Sequence, residues 1–414
     1  MGDAVIVSTA RTPIASADEG SLADIADYSA AFEAWLSTEC ATLAAVCEPI
    51  VDYGQRVEAM RAFMAELFEA GWARYGWPVA LGGLGGTIAH RAVMWEVAAR
   101  FGVQGMALFE HLEILAPTLA VHGPSELIAD LLPRFLSGRE LWAQGFSEPN
   151  AGSDLANLRT TAVLDGDSYR ITGQKIWTSW ARYATWCLVL ARTGEPGSAH
   201  RGLSAFIVDL RSPGVDVRAI EQANGTDELA EVFFDGAFVP DGDSDPVNGG
   251  VLGEVGNGWG VAMATTGSER GLTLRSPGRF TAAAARLVQL YRERGGTVDD
   301  PGVRDAVVQA WMDAEAYALY TLSDVTGIVE GNAPGARSSL NKIFWSELDV
   351  RLHEASLRLL GGEAELEEWG PAGEQVENPW LKGYQFSLSG PIYAGTNEIQ
   401  RNIVAERVLG LPRK

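Results

Sequence analysis

The sequence predicts a mainly α-helical protein with a β-domain at its centre. Apolar residues recur at helical spacing in the first part of the chain, for example at Met60, Phe63, Met64 and Leu67. Between about residues 140 and 240 the pattern changes to short apolar runs bounded by turn signals, which is typical of strands. Helical spacing returns from about residue 257. The period of the hydrophobic pattern therefore predicts the order helical, β, helical.

A chain of 414 residues is longer than one compact core usually accommodates, so two or three domains are expected. We place a leader at residues 1–20, an N-terminal helical domain at 21–138, a middle β-domain at 139–248 and a C-terminal helical region at 249–414. No internal repeat or low-complexity linker interrupts this order.

The central segment holds apolar runs at residues 186–190 and 203–208. Turn sequences such as those at 165–167 (Asp-Gly-Asp) and 212–214 (Ser-Pro-Gly) bound the runs. This spacing predicts antiparallel strands in a sandwich or barrel.

Composition excludes several classes of function. The formal net charge of -22 argues against binding to a nucleic-acid backbone, which needs clustered basic residues. Three cysteines give neither a disulfide framework nor a metal-ligand spacing, so no metal site is expected. No apolar run is long enough for a membrane span, and no signal peptide is evident. By elimination, we expect a cytoplasmic enzyme.

Two short segments in the predicted β-domain carry residue types suited to ligand binding. Residues 145–154 read Gly-Phe-Ser-Glu-Pro-Asn-Ala-Gly-Ser-Asp, and small residues let backbone N–H groups approach a ligand closely. Residues 172–179 read Thr-Gly-Gln-Lys-Ile-Trp-Thr-Ser, in which a Trp face could stack on a planar cofactor. Taken alone, the first segment equally fits an ordinary loop, and the second a Trp of a sandwich core.

A third segment lies near the C-terminus. Residues 390–401 read Gly-Pro-Ile-Tyr-Ala-Gly-Thr-Asn-Glu-Ile-Gln-Arg, which predicts a tight loop running into a helix. A helix N-terminus presents free N–H groups that favour a negatively charged ligand group. The alternative is an ordinary helix start, capped by Thr396 or Asn397.

The order and spacing of these three segments, with the Gly-Trp and Gly-Gly sequences of residues 71–86, resemble the acyl-CoA dehydrogenases over about residues 25–412. The resemblance implies an N-terminal helical domain, a middle β-sandwich or barrel and a C-terminal four-helix bundle. It implies FAD held between the β-domain and the bundle. The implied reaction converts an acyl-CoA to trans-2-enoyl-CoA and passes electrons to an electron-transfer flavoprotein.

The resemblance also assigns site residues by position. It implies that the β-domain residues which line the flavin are Phe146, Ser147, Trp177 and Ser179, with the Ser179 hydroxyl near flavin N5. Ser153 should lie near both the flavin and the CoA arm. Thr396 and Glu398 match family positions that contact FAD.

The catalytic base is expected to be Glu269. Most members of the family carry the base directly after the tyrosine of the C-terminal motif, where this chain has Ala394, which cannot accept a proton. A minority carry a glutamate directly before an arginine on a bundle helix, which matches Glu269 and Arg270. Glu269 would take the α-proton while a hydride passes to flavin N5. Arg270 would orient the ligand or the base, and the Ala394 N–H would bind the thioester oxygen.

One family motif is incomplete. An Arg-x-x-Phe…Gln sequence normally reaches the FAD of a neighbouring subunit, and only Arg294 fits it here. The missing donors suggest a heterotetramer with a second dehydrogenase subunit, and a homotetramer with an altered FAD cradle is equally open. A catalytically silent subunit and an acyl-CoA oxidase are further alternatives.

Residues 3–14 resemble the opening strand of a thiolase. A segment this short does not make a thiolase domain, and no cysteine of this chain lies in a thiolase nucleophile context. We interpret the segment as a fusion remnant or a mis-set start that is poorly ordered.

Overall fold

The computed structural model describes residues 19–48, 52–103, 107–195, 197–240, 249–270, 277–294, 300–332, 335–366 and 378–412. The thiolase-like segment at residues 3–14 lies outside these ranges.

Helices form the first part of the described chain. Before the first strand they are α1 (Glu19–Thr38), α2 (Leu43–Cys47), α3 (Tyr53–Glu69), α4 (Ile88–Arg100), α5 (Ala107–His122) and α6 (Ser125–Leu136). Short 3-10 turns at Trp72–Arg74 and Val79–Leu81 replace the α-helix where glycines and a proline punctuate the sequence.

The middle part of the chain is a mixed sheet. Its strands are β1 (Trp142–Gly145), β2 (Thr161–Asp165), β3 (Ser168–Ser179), β4 (Trp186–Arg192), β5 (Leu203–Asp209), β6 (Val215–Ile220), β7 (Leu229–Pro240) and β8 (Gly250–Leu252). The strand order is β6-β7-β3-β2-β4-β5-β8, and β1 pairs with β4.

The sheet differs from the prediction in one respect. The sequence predicted antiparallel strands. In the structure β1 pairs with β4 in parallel, and the first residue of β2, Thr161, also pairs with β4 in parallel. Hydrophobic alternation reports which face of a strand is buried and not which neighbour it pairs with. One core cluster joins side chains of β3 and β7, such as Ile171 and Val232, with those of β4 and β5, such as Val189 and Phe206. The two halves of the sheet therefore share a single core.

The last part of the chain is helical again. It contains α7 (Gly258–Arg270), α8 (Pro277–Arg294), α9 (Val303–Val329), α10 (Ser338–Leu360), α11 (Pro379–Ser387) and α12 (Asn397–Ile403), which a short π-helical turn (Val404–Val408) extends. Phe280 of α8, Tyr317 of α9 and Trp345 of α10 are buried together in one core cluster. The predicted order helical, β, helical is confirmed.

The chain divides into two compact units. One contains the sheet with α2, α3, α5, α6 and nearly all of α7, from residues 42–85 and 105–269. The other contains α1, α4 and α8 to α12, from residues 1–41, 86–104 and 270–414. Within the second unit α4 packs against α8 and α9.

Candidate active site

The loop that follows β1 runs along β3. β1 ends at Gly145, and the next two residues are the predicted flavin contacts Phe146 and Ser147. The Phe146 carbonyl accepts a hydrogen bond from Lys175 Nζ at 3.1 Å, and the Ser147 carbonyl accepts one from the Ile176 N–H at 3.0 Å. Phe146 is buried and Ser147 is half-buried. These two hydrogen bonds fix the main chain of both predicted contacts against β3.

Glu148 and Lys175 form a buried ion pair at this loop. Their side chains are 6% and 0% exposed, and Lys175 Nζ lies 2.8 Å from Glu148 Oε1. The carboxylate also accepts hydrogen bonds from the Arg159 N–H at 2.6 Å and the Thr160 N–H at 2.8 Å. A buried charge is tolerated when it is paired and hydrogen-bonded in this way. The pair ties the β1 loop and the residues before β2 to strand β3.

The pKa values of this cluster reflect its burial. Burial lowers the pKa of the Lys175 ammonium to about 8, although the Glu148 carboxylate beside it opposes that shift. Burial would raise the pKa of Glu148, but the attraction of Lys175 and the hydrogen bonds that the carboxylate accepts hold it below its usual value. Burial raises the pKa of the neighbouring Cys187 thiol to about 12. Near neutral pH the pair is therefore charged and the thiol is protonated.

Trp177 and Ser179 lie at a break in the pairing of β3 with β7. The register shifts between Lys175 and Thr178, so that Ile176 and Trp177 together oppose one residue of β7. Trp177 has φ 58°, which is rare for a bulky residue, and the residue remains 57% exposed. Ser179 is half-buried. At this break the Trp177 indole therefore lies outside the core, two residues before Ser179 in the sequence.

Ser153, the last predicted contact in this unit, lies on a separate turn. It is exposed, between the isolated bridge that joins Glu148 to Ala151 and the 3-10 turn Leu155–Asn157. Within the described part of the chain no hydrogen bond links Ser153 to Trp177 or Ser179. The structure therefore brings Phe146 and Ser147 next to β3, whereas no described hydrogen bond ties Ser153 to that strand.

In the helical unit, Ala394 lies in a tight turn before α12. Ala394 has φ 56° and Gly395 has φ 78°, so two successive residues are left-handed. Gln400 Nε2 donates to the carbonyl oxygens of Ala394 at 2.8 Å and Gly395 at 3.3 Å, which holds the turn closed. Thr396 is the N-cap of α12, and its hydroxyl accepts from the Ile399 N–H at 3.3 Å. Of the two predicted caps, Thr396 is the one used.

A buried polar contact anchors the turn to α10. Asn397 Oδ1 accepts a hydrogen bond from the fully buried Lys342 ammonium at 2.8 Å, and the Ser346 hydroxyl also bonds to this amide. The side chain of Glu398, by contrast, is 77% exposed. A hydrogen bond from its own backbone N–H and one from the Thr396 hydroxyl hold the pKa of Glu398 below its usual value.

The remaining predicted residues lie near helix ends. Glu269 and Arg270 are the last two residues of α7, and their side chains fall outside the described part of the chain. Arg294 is the last residue of α8. Its guanidinium lies 2.7 Å from Glu363 Oε2 and is partly buried. Arg294 is thus engaged by an acidic residue of its own chain.

Sequence reasoning missed the role of Lys175, although the signal was available. Tyr169, Ile171 and Lys175 share the inward-facing parity of β3, and all three are buried. A lysine at an inward-facing position needs an acidic partner, and Glu148 lies in the segment already singled out. The left-handed conformation of Trp180 had no comparable signal, because a bulky residue disfavours it.

Two features are absent from the described residues. No group of three or more His, Cys, Asp and Glu residues among them could hold a metal ion. No helix in those same ranges is long and apolar enough to cross a membrane.

Comparison with known proteins decides the family. Three consecutive stretches match the three domains of one family: the acyl-CoA dehydrogenase N-terminal domain at residues 26–139, the middle domain at 143–237 and the C-terminal domain at 256–409. The chain belongs to the acyl-CoA dehydrogenase family. As such it is an oxidoreductase that acts on CH–CH groups and uses a flavin. The predicted fold class and enzyme class are confirmed.

Individual acyl-CoA dehydrogenases are similar over nearly the whole chain. Acyl-CoA dehydrogenase IpdE1 of Mycobacterium tuberculosis is 40% identical over 396 residues, which cover 94% of this chain and 99% of that protein. IpdE1 of Mycolicibacterium smegmatis is 39% identical over 409 residues, with the same coverage.

Solved structures show the same architecture. The Tcur3481-Tcur3483 steroid ACAD superposes with a TM-score of 0.79 at 27% identity, covering 95% of this chain and 98% of that one. The ChsE4-ChsE5 complex from Mycobacterium tuberculosis gives a TM-score of 0.76 at 28% identity, covering 94% of this chain and 98% of that one.

The buried ion pair leads to a first prediction. Glu148→Gln leaves the Lys175 ammonium buried without its counter-charge, and we expect a loss of about 3–5 kcal/mol in the free energy of unfolding. Glu148→Gln with Lys175→Met removes both charges and should recover most of that loss. Urea denaturation of the three proteins measures the difference. Asp165→Asn breaks the exposed Arg170–Asp165 pair and should cost at most about 1 kcal/mol.

The pH dependence of this effect has a defined sign. Because the pKa of Glu148 is lowered in the folded protein, its contribution is complete above the usual value of 4.5 and is lost as pH falls through the lower folded value. The stability gap between wild type and Glu148→Gln should therefore persist down to about pH 4.5 and close below it. A gap that closes between pH 7 and 5 would contradict the assignment.

Proposed function

We propose that this chain catalyses FAD-dependent α,β-dehydrogenation of an acyl-CoA to trans-2-enoyl-CoA, with Glu269 as the base. The observation that carries the proposal is the pair of positions 394 and 269. The turn after Tyr393 has the left-handed geometry described above but holds alanine, while the end of α7 holds a glutamate followed by an arginine. A base on α7 therefore replaces a base on the turn.

The β-domain fits a flavin. The exposed indole of Trp177 offers a large aromatic surface where the pairing of β3 with β7 is interrupted. Such a surface can stack on a planar ring. Ser147 precedes Trp177 in the sequence and Ser179 follows it, and both of these half-buried residues supply a hydroxyl group. We assign Phe146, Ser147, Trp177 and Ser179 to the flavin. When bound, the flavin accepts the hydride that leaves the β-carbon of the substrate.

The chain's own residues supply the proton chemistry. The α-proton of a thioester becomes acidic enough to remove only if donors stabilise the enolate oxygen that develops. No described residue accepts a hydrogen bond from the Ala394 N–H, while Gln400 fixes the orientation of the Ala394 carbonyl. We assign that N–H to the thioester oxygen and Glu269 to the α-proton. A carboxylate kept from water has the raised pKa that this transfer needs.

The acyl group that we propose is derived from a sterol. The support is the similarity over 95% of the chain to a protein described as a steroid ACAD. We assign Ser153 and Arg270 to the substrate, and Thr396 and Glu398 to FAD, on the family positions that they match. An electron-transfer flavoprotein is the electron acceptor in this proposal, and an oxidase would instead produce peroxide in air.

The assignment of Glu269 predicts a specific kinetic defect. Glu269→Gln should keep bound flavin and its visible spectrum but lose about 10²–10⁴-fold in turnover, because an amide cannot accept the α-proton. Anaerobic flavin bleaching with straight, branched and polycyclic acyl-CoAs measures this and identifies the substrate class. Polycyclic thioesters should bleach the wild-type flavin fastest.

Two further variants sharpen this test. Glu330→Gln changes an exposed carboxylate at the end of α9 and should leave turnover unchanged. Glu269→Ala combined with Ala394→Glu should restore part of the activity, because it returns a carboxylate to the turn. Near wild-type bleaching in Glu269→Gln would rule out Glu269 as the base.

We further propose that the chain works in a heterotetramer with a second dehydrogenase subunit. The Tcur3481-Tcur3483 steroid ACAD and the ChsE4-ChsE5 complex are each named for two different proteins. This chain also exposes large apolar side chains along α9: Val308 is 45% exposed, Trp311 38%, Met312 44% and Leu319 37%. Exposed apolar stripes of this kind mark protein–protein contacts.

The surroundings of Arg294 support the same proposal. Its guanidinium already pairs with Glu363, so a phosphate on a neighbouring subunit would have to compete with that carboxylate. The phenylalanine and glutamine of the motif are missing as well. In this proposal the chain holds its own FAD but contributes few donors to the FAD of a neighbouring subunit. The assembly therefore has half the usual number of active sites.

The heterotetramer can be tested by composition. Co-expressed with the partner, the assembly should contain two copies of this chain and fewer flavins than chains, measured by native mass spectrometry and flavin absorbance. Trp311→Glu with Met312→Glu should prevent assembly, whereas Val163→Glu, at an exposed position of β2, should not. One FAD per chain in a homotetramer of the chain alone would overturn the proposal.

A further inference from the structure

Trp180 directly follows Ser179 and holds an unusual backbone conformation. Its φ is 66°, a left-handed value that bulky side chains disfavour and glycine adopts freely. The residue is only 5% exposed. Among the described residues other than glycine, four have positive φ, and two of these, Trp177 and Trp180, enclose the Ser179 segment. A strained backbone conformation persists only where the surrounding structure holds it in place, and such conformations cluster at functional sites.

The main chain of Trp180 is held from both sides. Its N–H donates to the Glu228 carbonyl at 2.7 Å, and its own carbonyl accepts from the N–H groups of Tyr183 at 2.8 Å and Ala184 at 2.9 Å. Glu228 immediately precedes β7, which pairs with Ser179 through Leu229. The peptide groups of residue 180 therefore have little freedom to rotate.

The indole of Trp180 is held by helix α3. The rings of Tyr53 and Trp180 stack with centroids 5.6 Å apart and planes 16° apart. The Tyr53 hydroxyl donates to Glu228 Oε2 at 2.9 Å, so the same glutamate binds Trp180 through its carbonyl and Tyr53 through its carboxylate. Burial, followed by the charge of Glu228, raises the pKa of Tyr53 far above its usual value, so the hydroxyl remains a donor.

We propose that Trp180, clamped by Tyr53 and Glu228, is a positioning residue that sets the direction of the Ser179 hydroxyl toward the flavin. The inference rests on the proposed flavin contact of Ser179. A segment that only had to turn the chain would be at least as stable with glycine at φ 66°. The tryptophan keeps the strained conformation because its ring is anchored to α3, and that anchor fixes the end of β3.

The test compares Trp180→Gly, Trp180→Phe and Tyr53→Phe in the flavin-loaded enzyme and its assembly. Trp180→Gly relieves the backbone but loses the ring, and kcat should fall about 10- to 100-fold with little change in KM. The visible circular dichroism of the bound flavin should shift. Trp180→Phe should rescue both readouts in large part, because a ring can still stack on Tyr53. Tyr53→Phe should give a smaller shift in the same direction.

A matched control isolates positioning from strain relief. Ala199→Gly relaxes another left-handed residue of the same compact unit, at φ 49°, and should change neither kcat nor the flavin spectrum. Ser179→Ala should show its own spectral shift, and adding Trp180→Gly to it should cause little further change, because both act through one hydroxyl. Additive effects in this pair would overturn the proposal.

Hydrogen exchange separates this proposal from the proposed function. In the flavin-free chain, Trp180→Gly should lose protection at residues 177–184 while Ala199→Gly keeps it. Unchanged protection, or a wild-type flavin spectrum in Trp180→Gly, refutes the positioning role whatever the enzyme's substrate. Absence of flavin bleaching by any acyl-CoA in the wild type would instead refute the proposed function.

Discussion

The β-domain depends on one buried charge, the ammonium of Lys175. Removing such a group from water is costly, so it persists only with a counter-charge and a full set of hydrogen-bond partners. Glu148 supplies the counter-charge at 2.8 Å, and the Phe146 carbonyl accepts a second hydrogen bond. These contacts bind the loop after β1 to β3 just before the break that exposes Trp177. The residues assigned to the flavin thus owe their relative placement to an electrostatic requirement of the core.

The proposed function assigns the proton chemistry to two segments, each at the end of a helix. The turn at Ala394 and Gly395 leaves the Ala394 N–H without an acceptor among the described residues, and Gln400 closes the turn. The carboxylate that would remove the proton lies elsewhere in the sequence, at Glu269 on α7. Replacing a side chain by alanine leaves its backbone donor intact. In the proposed function the base therefore lies on α7, and the Ala394 N–H still binds the enolate oxygen.

Much of this architecture could be predicted from the sequence. The change of period near residue 140 and its reversal near 257 identify the β-domain, because strands and helices bury apolar residues at different spacings. The parallel pairing of β1 with β4 could not be predicted, since alternation carries no information on neighbours. Motif positions such as Ser147 and Trp177 followed from the family resemblance. The ion pair between Arg294 and Glu363 did not, because it joins residues far apart in the chain.

The proposed function depends on removal of the α-proton by Glu269. The most direct measurement is deuterium exchange at the α-carbon of a 3-thia-acyl-CoA, in D2O and without electron acceptor, followed by mass spectrometry. The sulfur at the β-position prevents dehydrogenation, so exchange reports proton removal alone. We predict rapid exchange with the wild-type, flavin-loaded enzyme and a rate lower by about 10²-fold or more with Glu269→Gln. Exchange at the wild-type rate in Glu269→Gln would show that another residue removes the α-proton.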